Sequence, residues 1–280
     1  MIQLENKKIK VSISPEIGMA LTSFKVYDRE ILNQDLKNDF LKTRKGLGPI
    51  ILPHFNLDSP IKNDSINPND QKYNLFPHIK HLRKLGIFNP FQHGIGRYVS
   101  WNYQLVENTI TGAISGKDTI DGFTLKDLNG FDFNAKVIYF LHDNYVSIKI
   151  EINGEMPVAS GIHFYYDLVD DDSTISLDAY QKQKKINSIY LNKKHNDVLT
   201  PIYDKNGFSH ILLRTSRYNL LTKFMAEGDR DKVFESLIIF SDMEKNFVCI
   251  EPISYKIGEN NTKVRHFGEI QLIPGIEKCK

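Results

Sequence analysis

Hydrophobic residues alternate with polar ones over several stretches of the chain, and this period of two is typical of half-buried β-strands. Residues 9–13 carry Ile, Val and Ile at every second position, and residues 146–152 carry Val, Ile, Ile and Ile with Ser, Lys and Glu between them. Further short β-rich runs lie at 137–141, 211–213, 237–240 and 247–250, and turn-forming residues occur at 143–144, 153–154 and 205–207. The pattern predicts an all-β fold, a large antiparallel β-sandwich.

Helical spacing is confined to residues 72–85, where Leu75, Ile79, Leu82 and Leu85 recur on one face. Pro77 interrupts this pattern, so we expect at most one short helix there. Residues 56–74 are rich in Asp, Asn, Ser and Pro, which predicts a long surface loop of the kind that often binds ligands. Neither a linker nor an internal repeat is evident, and we expect residues 1–280 to form a single domain.

The composition is that of an ordinary globular protein, with 41% hydrophobic and 25% charged residues. The 36 basic and 34 acidic residues are interspersed, so a net charge of +2 creates no strong field for nucleic acid or a lipid surface. The chain has no apolar stretch of membrane-spanning length, and its first residues lack the pattern of a secretory signal. Cys249 and Cys279 stand in such different contexts that we expect no structural disulfide. These features predict a cytoplasmic protein without nucleic-acid or membrane partners.

Three segments, residues 92–101, 160–166 and 248–252, place an ionisable side chain among apolar or aromatic neighbours. Histidine exchanges protons near neutral pH, and an apolar setting raises the pKa of a carboxylate toward the same range, so such residues suit acid–base catalysis. Glu251 ends an apolar run, and Pro252 is expected to stop the strand there. Glu251 is therefore either a functional group at the mouth of a buried strand or a side chain that points into solvent.

The two histidines of these segments each have two interpretations. His163 lies in a strand-like run, residues 162–166, whose aromatic rings, including Tyr165, suit stacking on a sugar. A core histidine within an aromatic cluster fits the same pattern equally well. His93 is followed by Gly94 and Gly96, which allow a tight turn that presents the imidazole, although a plain turn histidine is more common.

The remaining polar candidates point to anion or ring binding rather than to a metal. Arg97 matches an anion such as phosphate and Trp101 offers a stacking surface; the alternatives are a salt-bridged surface arginine and a core tryptophan. The core position is the better interpretation of Trp101. His54, His78 and His81 lack the spacing with carboxylates or cysteines that metal ligands show, so we predict no catalytic metal. Motifs for serine hydrolysis, phosphate-binding glycine loops and dinucleotide binding are also missing.

In their order along the chain, these segments resemble the aldose 1-epimerase (galactose mutarotase-like) family. The matching segments are residues 14–24, 48–53, 131–152, 250–252 and 272–275, with His93-Gly94, Arg97 and Trp101 as a first histidine motif and residues 157–166 around a second. The resemblance implies a large antiparallel sandwich that binds a sugar in a groove. It also implies that Glu251 removes the proton of the anomeric hydroxyl, that His163 protonates the ring oxygen, and that His93 holds or polarises the ring oxygen or a neighbouring hydroxyl. No cofactor is implied.

One departure concerns the substrate loop, where residues 53–57 read Pro-His-Phe-Asn-Leu in place of a proline followed by an Asn-Arg pair. His54, Asn56 or Arg97 would then supply the hydrogen bond of the missing arginine. Asp204 is a loose match to a further acidic residue that holds substrate hydroxyls. The spacing from His93 to Arg97 resembles the hexose-6-phosphate epimerase branch, so the implied ligand is a sugar or a sugar phosphate, bound by a monomer or homodimer.

Two other functions fit a sandwich of this kind. A non-catalytic carbohydrate-binding protein is the main alternative, because the arginine is missing and the residues at 164–166 are aromatic. A different sugar enzyme, such as a lyase or a glycoside-processing domain, is a weaker alternative, since similar sandwiches host unrelated functions.

Overall fold

The computed structural model describes residues 1–55, 71–76, 79, 91–168, 175–181, 184–191, 202–203, 208–225, 234–242, 246–257 and 259–275. No helix in this part of the chain is long and apolar enough to span a membrane. Its helices are short: α1 (Lys37–Thr43), α2 (Leu125–Asn129) and the 3-10 helices Pro15–Ile17, Gln34–Leu36, Gln71–Leu75 and Ile95–Tyr98. Its strands are β1 (Ile2–Glu5), β2 (Ile9–Ser14), β3 (Ala20–Val26), β4 (Arg29–Glu30), β5 (Ile50–Ile51), β6 (Asn102–Val106), β7 (Thr109–Ser115), β8 (Thr119–Ile120), β9 (Phe123–Thr124), β10 (Phe133–Leu141), β11 (Val146–Gly154), β12 (Gly161–Ile162), β13 (Phe164–Asp167), β14 (Ile175–Gln181), β15 (Lys184–Leu191), β16 (Ile202–Tyr203), β17 (His210–Arg214), β18 (Asn219–Met225), β19 (Ser236–Asp242), β20 (Phe247–Ile253) and β21 (Arg265–Pro274).

The described strands pair antiparallel throughout and form three main sheets. The largest has nine strands in the order β15-β14-β17-β18-β21-β11-β10-β7-β6. A second has the order β16-β19-β20-β12-β5, with β13 also pairing with β20, and β1 to β4 form the third. Side chains of all three sheets meet in one hydrophobic cluster, which includes Val11, Ile148, Leu237, Ile250 and Ile270. The expected antiparallel β-sandwich is confirmed.

The alternation of residue types decides which face of each strand enters the core. On β11, the four apolar residues from Val146 to Ile152 are fully buried, while Lys149 and Glu151 are partly exposed. β20 differs because all of its residues are buried, as is typical of a strand covered on both faces. Glu251 lies on this doubly covered strand and is therefore shielded from water.

Three local predictions from the sequence are wrong. Pro252 does not stop its strand: β20 continues to residue 253, and Pro252 lies opposite Leu237 of β19, at a point where the pairing with β12 and β13 is interrupted. The turn expected at residues 153–154 lies inside β11, because both residues still pair with β10. Residues 71–74, expected in a surface loop, belong to a 3-10 helix whose Tyr73 is buried against Phe91. The rest of that loop, most of the stretch at 77–90, the turn at 205–207 and Cys279 lie outside the described residues.

A partly buried carboxyl at the end of β13, that of Asp167, makes the stability depend on pH. Burial first, and then the charge of Asp35, raises the pKa of Asp167 to about 6. A folded-state pKa above the usual value means that the unfolding free energy falls as the pH rises from about 4 to about 6. Because the group is only partly buried, we expect this loss to be about 1 kcal/mol after solvent screening. Urea unfolding at pH 4 and pH 7 should show the loss in the wild type and not in Asp167→Asn; an equal loss in both proteins would contradict it.

Candidate active site

His163 and Glu251 meet because the strands that carry them are in register. On β20, Ile253 pairs with β12 and Ile250 pairs with β13, so counting inward from both pairs places His163 opposite Glu251. The expected continuous run at 162–166 is thus broken at His163, between β12 and β13. His163 Nε2 lies 2.5 Å from Glu251 Oε1, and the two side chains are only 5% and 7% exposed. An imidazole and a carboxylate are therefore in direct contact away from bulk water.

A turn holds His93 beside this pair in one defined tautomer. The backbone N–H and the Nδ1 of His93 lie 3.0 and 2.9 Å from the carbonyl oxygen of Phe55. A carbonyl oxygen can only accept, so Nδ1 carries the hydrogen and Nε2 of the neutral ring is an acceptor. Burial, and after it the charges of Arg97 and His163, holds the pKa of His93 well below its usual value, which keeps the ring neutral. The rings of His93 and His163 are 4.9 Å apart between centroids.

Gly94 allows the turn that presents His93. Its φ is 84°, and a Cβ atom at this position would lie 1.9 Å from the carbonyl oxygen of Leu52. The turn is fixed to the same residue by hydrogen bonds from Leu52 N to His93 O at 3.2 Å and from Gly96 N to Leu52 O at 3.1 Å. Only glycine fits so close an approach at a positive φ, which explains the His-Gly sequence.

Arg97 is a fully buried cation on the 3-10 helix Ile95–Tyr98. Its Nη2 donates to the Tyr98 hydroxyl at 2.8 Å, and that hydroxyl donates to the carbonyl oxygen of Gln92 at 3.2 Å. Within the described part of the chain, Nε and Nη1 of Arg97 have no hydrogen-bond partner. The alternative interpretation of Arg97 as a surface residue is wrong, and two of its buried guanidinium nitrogens lack a partner among the described residues.

Other basic side chains lie close enough to Arg97 for its charge to act on them. Burial first, and Arg97 after it, lowers the pKa of Lys45. The pKa of Arg44 is lowered by burial, with a smaller contribution from Arg97. Both residues follow α1, and the same segment contacts the catalytic candidates, since His163 N donates to Pro49 O at 3.0 Å. Positive charge therefore collects on one side of the site.

The other predicted site residues have different positions. His54 is 7% exposed, and burial followed by the charge of Arg97 lowers its pKa to about 4. The ring of Tyr165 is edge-on to the ring of His163, with a distance of 4.8 Å between the centroids. Trp101 is buried in the core and donates to a backbone carbonyl at 2.8 Å, as its preferred interpretation predicted. The predicted residues that lie outside the described part of the chain are Asn56, His78, His81 and Asp204.

Cys249 is a site residue that the sequence interpretation missed. It is fully buried and free, and its Sγ donates to Glu251 Oε1 at 3.3 Å. Residues two apart in a strand share a face, so the position of Cys249 relative to Glu251 was a usable signal. Lys45 offers no such signal, because only the tertiary fold brings its segment to the site.

His93, His163 and Glu251 also form a donor set that a metal ion could use. One donor atom from each lies within 4.8 Å of the others, and two histidines with a carboxylate are a common set for divalent transition metals. Two features oppose a cation here: the neighbouring charge of Arg97, and the direct contact between His163 Nε2 and Glu251 Oε1, which already occupies one donor atom of each residue. That the site works without a catalytic metal stays a prediction.

The sequence matches no protein-family model and no curated protein. Solved structures match over nearly the full length. A galactose mutarotase related enzyme from Lactobacillus acidophilus is 16% identical, with 99% of each chain covered and a TM-score of 0.65. A galactose mutarotase-like protein from Lactobacillus casei is 15% identical, with 99% of this chain and 100% of that chain covered and a TM-score of 0.67. One from Clostridium acetobutylicum is 14% identical, with 98% and 95% covered and a TM-score of 0.62. The chain therefore has the galactose mutarotase-like fold, and at these identities the likeness concerns the fold alone.

Proposed function

We propose that this chain is an aldose 1-epimerase-like isomerase, which interconverts the α and β anomers of an aldose or aldose phosphate. The observation that carries the proposal is the buried contact of 2.5 Å between His163 Nε2 and Glu251 Oε1, with the ring of His93 next to it. Ring opening needs one group that takes a proton and another that gives one, at two oxygens bonded to the same carbon. A histidine and a carboxylate in contact meet this requirement.

The proposed reaction balances its protons within the pair. Glu251 removes the hydrogen of the anomeric hydroxyl while protonated His163 gives its Nε2 hydrogen to the ring oxygen, and the bond between C1 and the ring oxygen breaks. Rotation about the C1–C2 bond of the resulting aldehyde presents its other face. The two groups then act in reverse, His163 taking the hydroxyl proton and Glu251 returning its own, so the ring closes as the other anomer and the enzyme regains its starting state.

The tautomer of His93 narrows the role that the family resemblance implies for it. A ring oxygen carries no hydrogen, so it cannot donate to the free Nε2 lone pair of a neutral His93. A sugar hydroxyl can donate to that atom. Of the two roles, holding a neighbouring hydroxyl is the one that we propose, and His93 then contributes to binding and specificity rather than to protonation.

Replacing His93 by phenylalanine should therefore raise KM more than it lowers kcat. We expect kcat/KM to fall about 30-fold, which corresponds to one lost hydrogen bond in a buried site. Assays with a series of monodeoxy sugars would identify the hydroxyl: the wild type should reject one of them, and His93→Phe should not distinguish it from the parent sugar. A loss confined to kcat would contradict this role.

The cations of the site favour a substrate that carries negative charge. Arg97 has two guanidinium nitrogens without partners in the described structure, and Lys45 lies near enough to feel its charge. Arginine binds phosphate through paired hydrogen bonds of this kind. An aldose phosphate accounts for these groups better than a neutral aldose does.

The test of the function is a screen of anomer exchange by NMR across free hexoses, pentoses and their 6-phosphates. Catalysed exchange of at least one of them supports the proposal, and a preference for the phosphates supports the role of the cations. Absence of exchange with every sugar would overturn the assigned activity.

A sugar-binding protein without catalysis is the second candidate, because His163 Nε2 and Glu251 Oε1 are already in contact with one another. Their low exposure also means that a sugar must separate packed side chains to reach them. Calorimetric binding of a sugar whose anomers do not exchange would decide for this alternative.

A further inference from the structure

The two oxygens of the Glu251 carboxylate have different surroundings. Oε1 lies 2.5 Å from His163 Nε2 and accepts a hydrogen bond from Cys249 Sγ at 3.3 Å. Oε2 is buried and has no hydrogen-bond partner in the described part of the chain. Oε1 therefore has two polar neighbours, while Oε2 has no hydrogen-bond partner among the described residues.

Cys249 is held in place by its own neighbours. It lies two residues before Glu251 on β20 and directly opposite Tyr165 of β13, so the three side chains share one face of the sheet. The side chains of Tyr165 and Cys249 pack together in one small buried cluster. The Tyr165 ring packs between the rings of His163 and Phe247, with centroid distances of 4.8 and 4.9 Å.

The thiol is a donor and not a nucleophile in this setting. Burial first, and then the Glu251 charge, raises the pKa of Cys249 well above its usual value, so the sulfur keeps its hydrogen. With no exposed surface, Cys249 is also closed to reagents from solution. Its hydrogen has one acceptor among the described residues, Glu251 Oε1.

We propose that Cys249, packed against Tyr165, is a positioning residue that fixes Oε1 of Glu251 and leaves Oε2 as the oxygen that takes the substrate proton. This deepens the proposed function and rests on it for the chemical step. The hydrogen bond from the Cys249 thiol stabilises the carboxylate form of Glu251. Cys249 thereby sets both the orientation and the basicity of Glu251.

The experiment compares Cys249→Ala, Cys249→Ser and Tyr165→Phe with the wild type by two measurements. The first is the 13C NMR titration of the Glu251 carboxyl carbon, identified by its loss in Glu251→Gln. Removal of the thiol in Cys249→Ala should raise the acidic midpoint of this titration by about one pH unit, and Cys249→Ser should restore it, because serine keeps a donor. Tyr165→Phe should also raise the midpoint, by less than Cys249→Ala does.

The second measurement is the pH profile of anomer exchange. In Cys249→Ala the acid limb should move upward with the NMR midpoint, and kcat should fall about tenfold with little change in KM. Ile250→Val serves as the matched control, because it perturbs the same strand on its opposite, core-facing side. It should lower stability without moving either midpoint.

An unchanged NMR midpoint in both Cys249→Ala and Tyr165→Phe would overturn the proposal. The NMR titration needs no substrate, so it tests the positioning role even if no sugar is epimerised. If the wild type does not exchange anomers, the proposed activity alone is contradicted. If Cys249→Ala and Tyr165→Phe are active and their NMR midpoints are unshifted, the positioning role alone is contradicted.

Discussion

Replacing Glu251 by glutamine should lower the rate of anomer exchange by about 10³-fold, because the amide cannot take the proton of the anomeric hydroxyl. Glutamine has the shape of the glutamate and can still accept the hydrogen bond of His163 through Oε1, so the site geometry should be kept. Removing a buried charge should also leave the melting temperature equal to or above that of the wild type. Anomer exchange by NMR and thermal unfolding measure the two effects.

The matched control is Glu151→Gln, which makes the same chemical change on a partly exposed position of β11. It should leave the exchange rate within about twofold of the wild type. An exchange rate in Glu251→Gln that equals that of this control would contradict the assignment of Glu251 as the base.

His163 and Glu251 should also behave as a unit. We expect His163→Gln to lower the rate by about 10² to 10³-fold, since it removes the acid that protonates the ring oxygen. The double variant should be no more than about tenfold slower than Glu251→Gln, because each group needs the other for a balanced proton transfer. Fully multiplicative losses would indicate that the two residues act in separate steps.

The strands of this fold could be predicted from the sequence because their apolar residues repeat with a period that burial itself imposes. The runs at 9–13, 137–141, 146–152, 211–213, 237–240 and 247–250 all lie within observed strands. The contact between His163 and Glu251 could not be derived in that way. It depends on how β12 and β13 register against β20, and register is set by tertiary pairing between distant segments.

The errors have a similar origin. Pro252 is a poor strand residue in isolation, and it is tolerated because a neighbouring ladder is interrupted beside it. Arg97 was expected at the surface as one alternative, because charged residues are seldom fully buried without a partner. Arg97 breaks this general rule of burial, and this is the reason why we propose that it binds a ligand.

Replacing Arg97 by methionine should make the protein more stable and less able to bind an anionic sugar. The guanidinium is fully buried, and no carboxylate of the described chain pairs with it. Methionine is similar in length and carries no charge, so we expect the unfolding free energy to rise by about 1–3 kcal/mol. Urea unfolding measures this change, and Arg44→Met, a partly exposed cation of the same patch, should change it by less than about 1 kcal/mol.

The effect on activity should depend on the charge of the substrate. Two lost charge-assisted hydrogen bonds predict a fall in kcat/KM of about 100-fold or more for a sugar 6-phosphate. The free sugar should lose little, because its hydroxyls do not need a cation. If Arg97→Met is more stable but loses the same factor in kcat/KM on both sugars, phosphate binding by Arg97 is contradicted. If Arg97→Met is less stable than the wild type, the buried charge serves the fold. The combination of higher stability with selective loss of the phosphate arises only if Arg97 is kept, at a cost to the fold, for an anionic ligand.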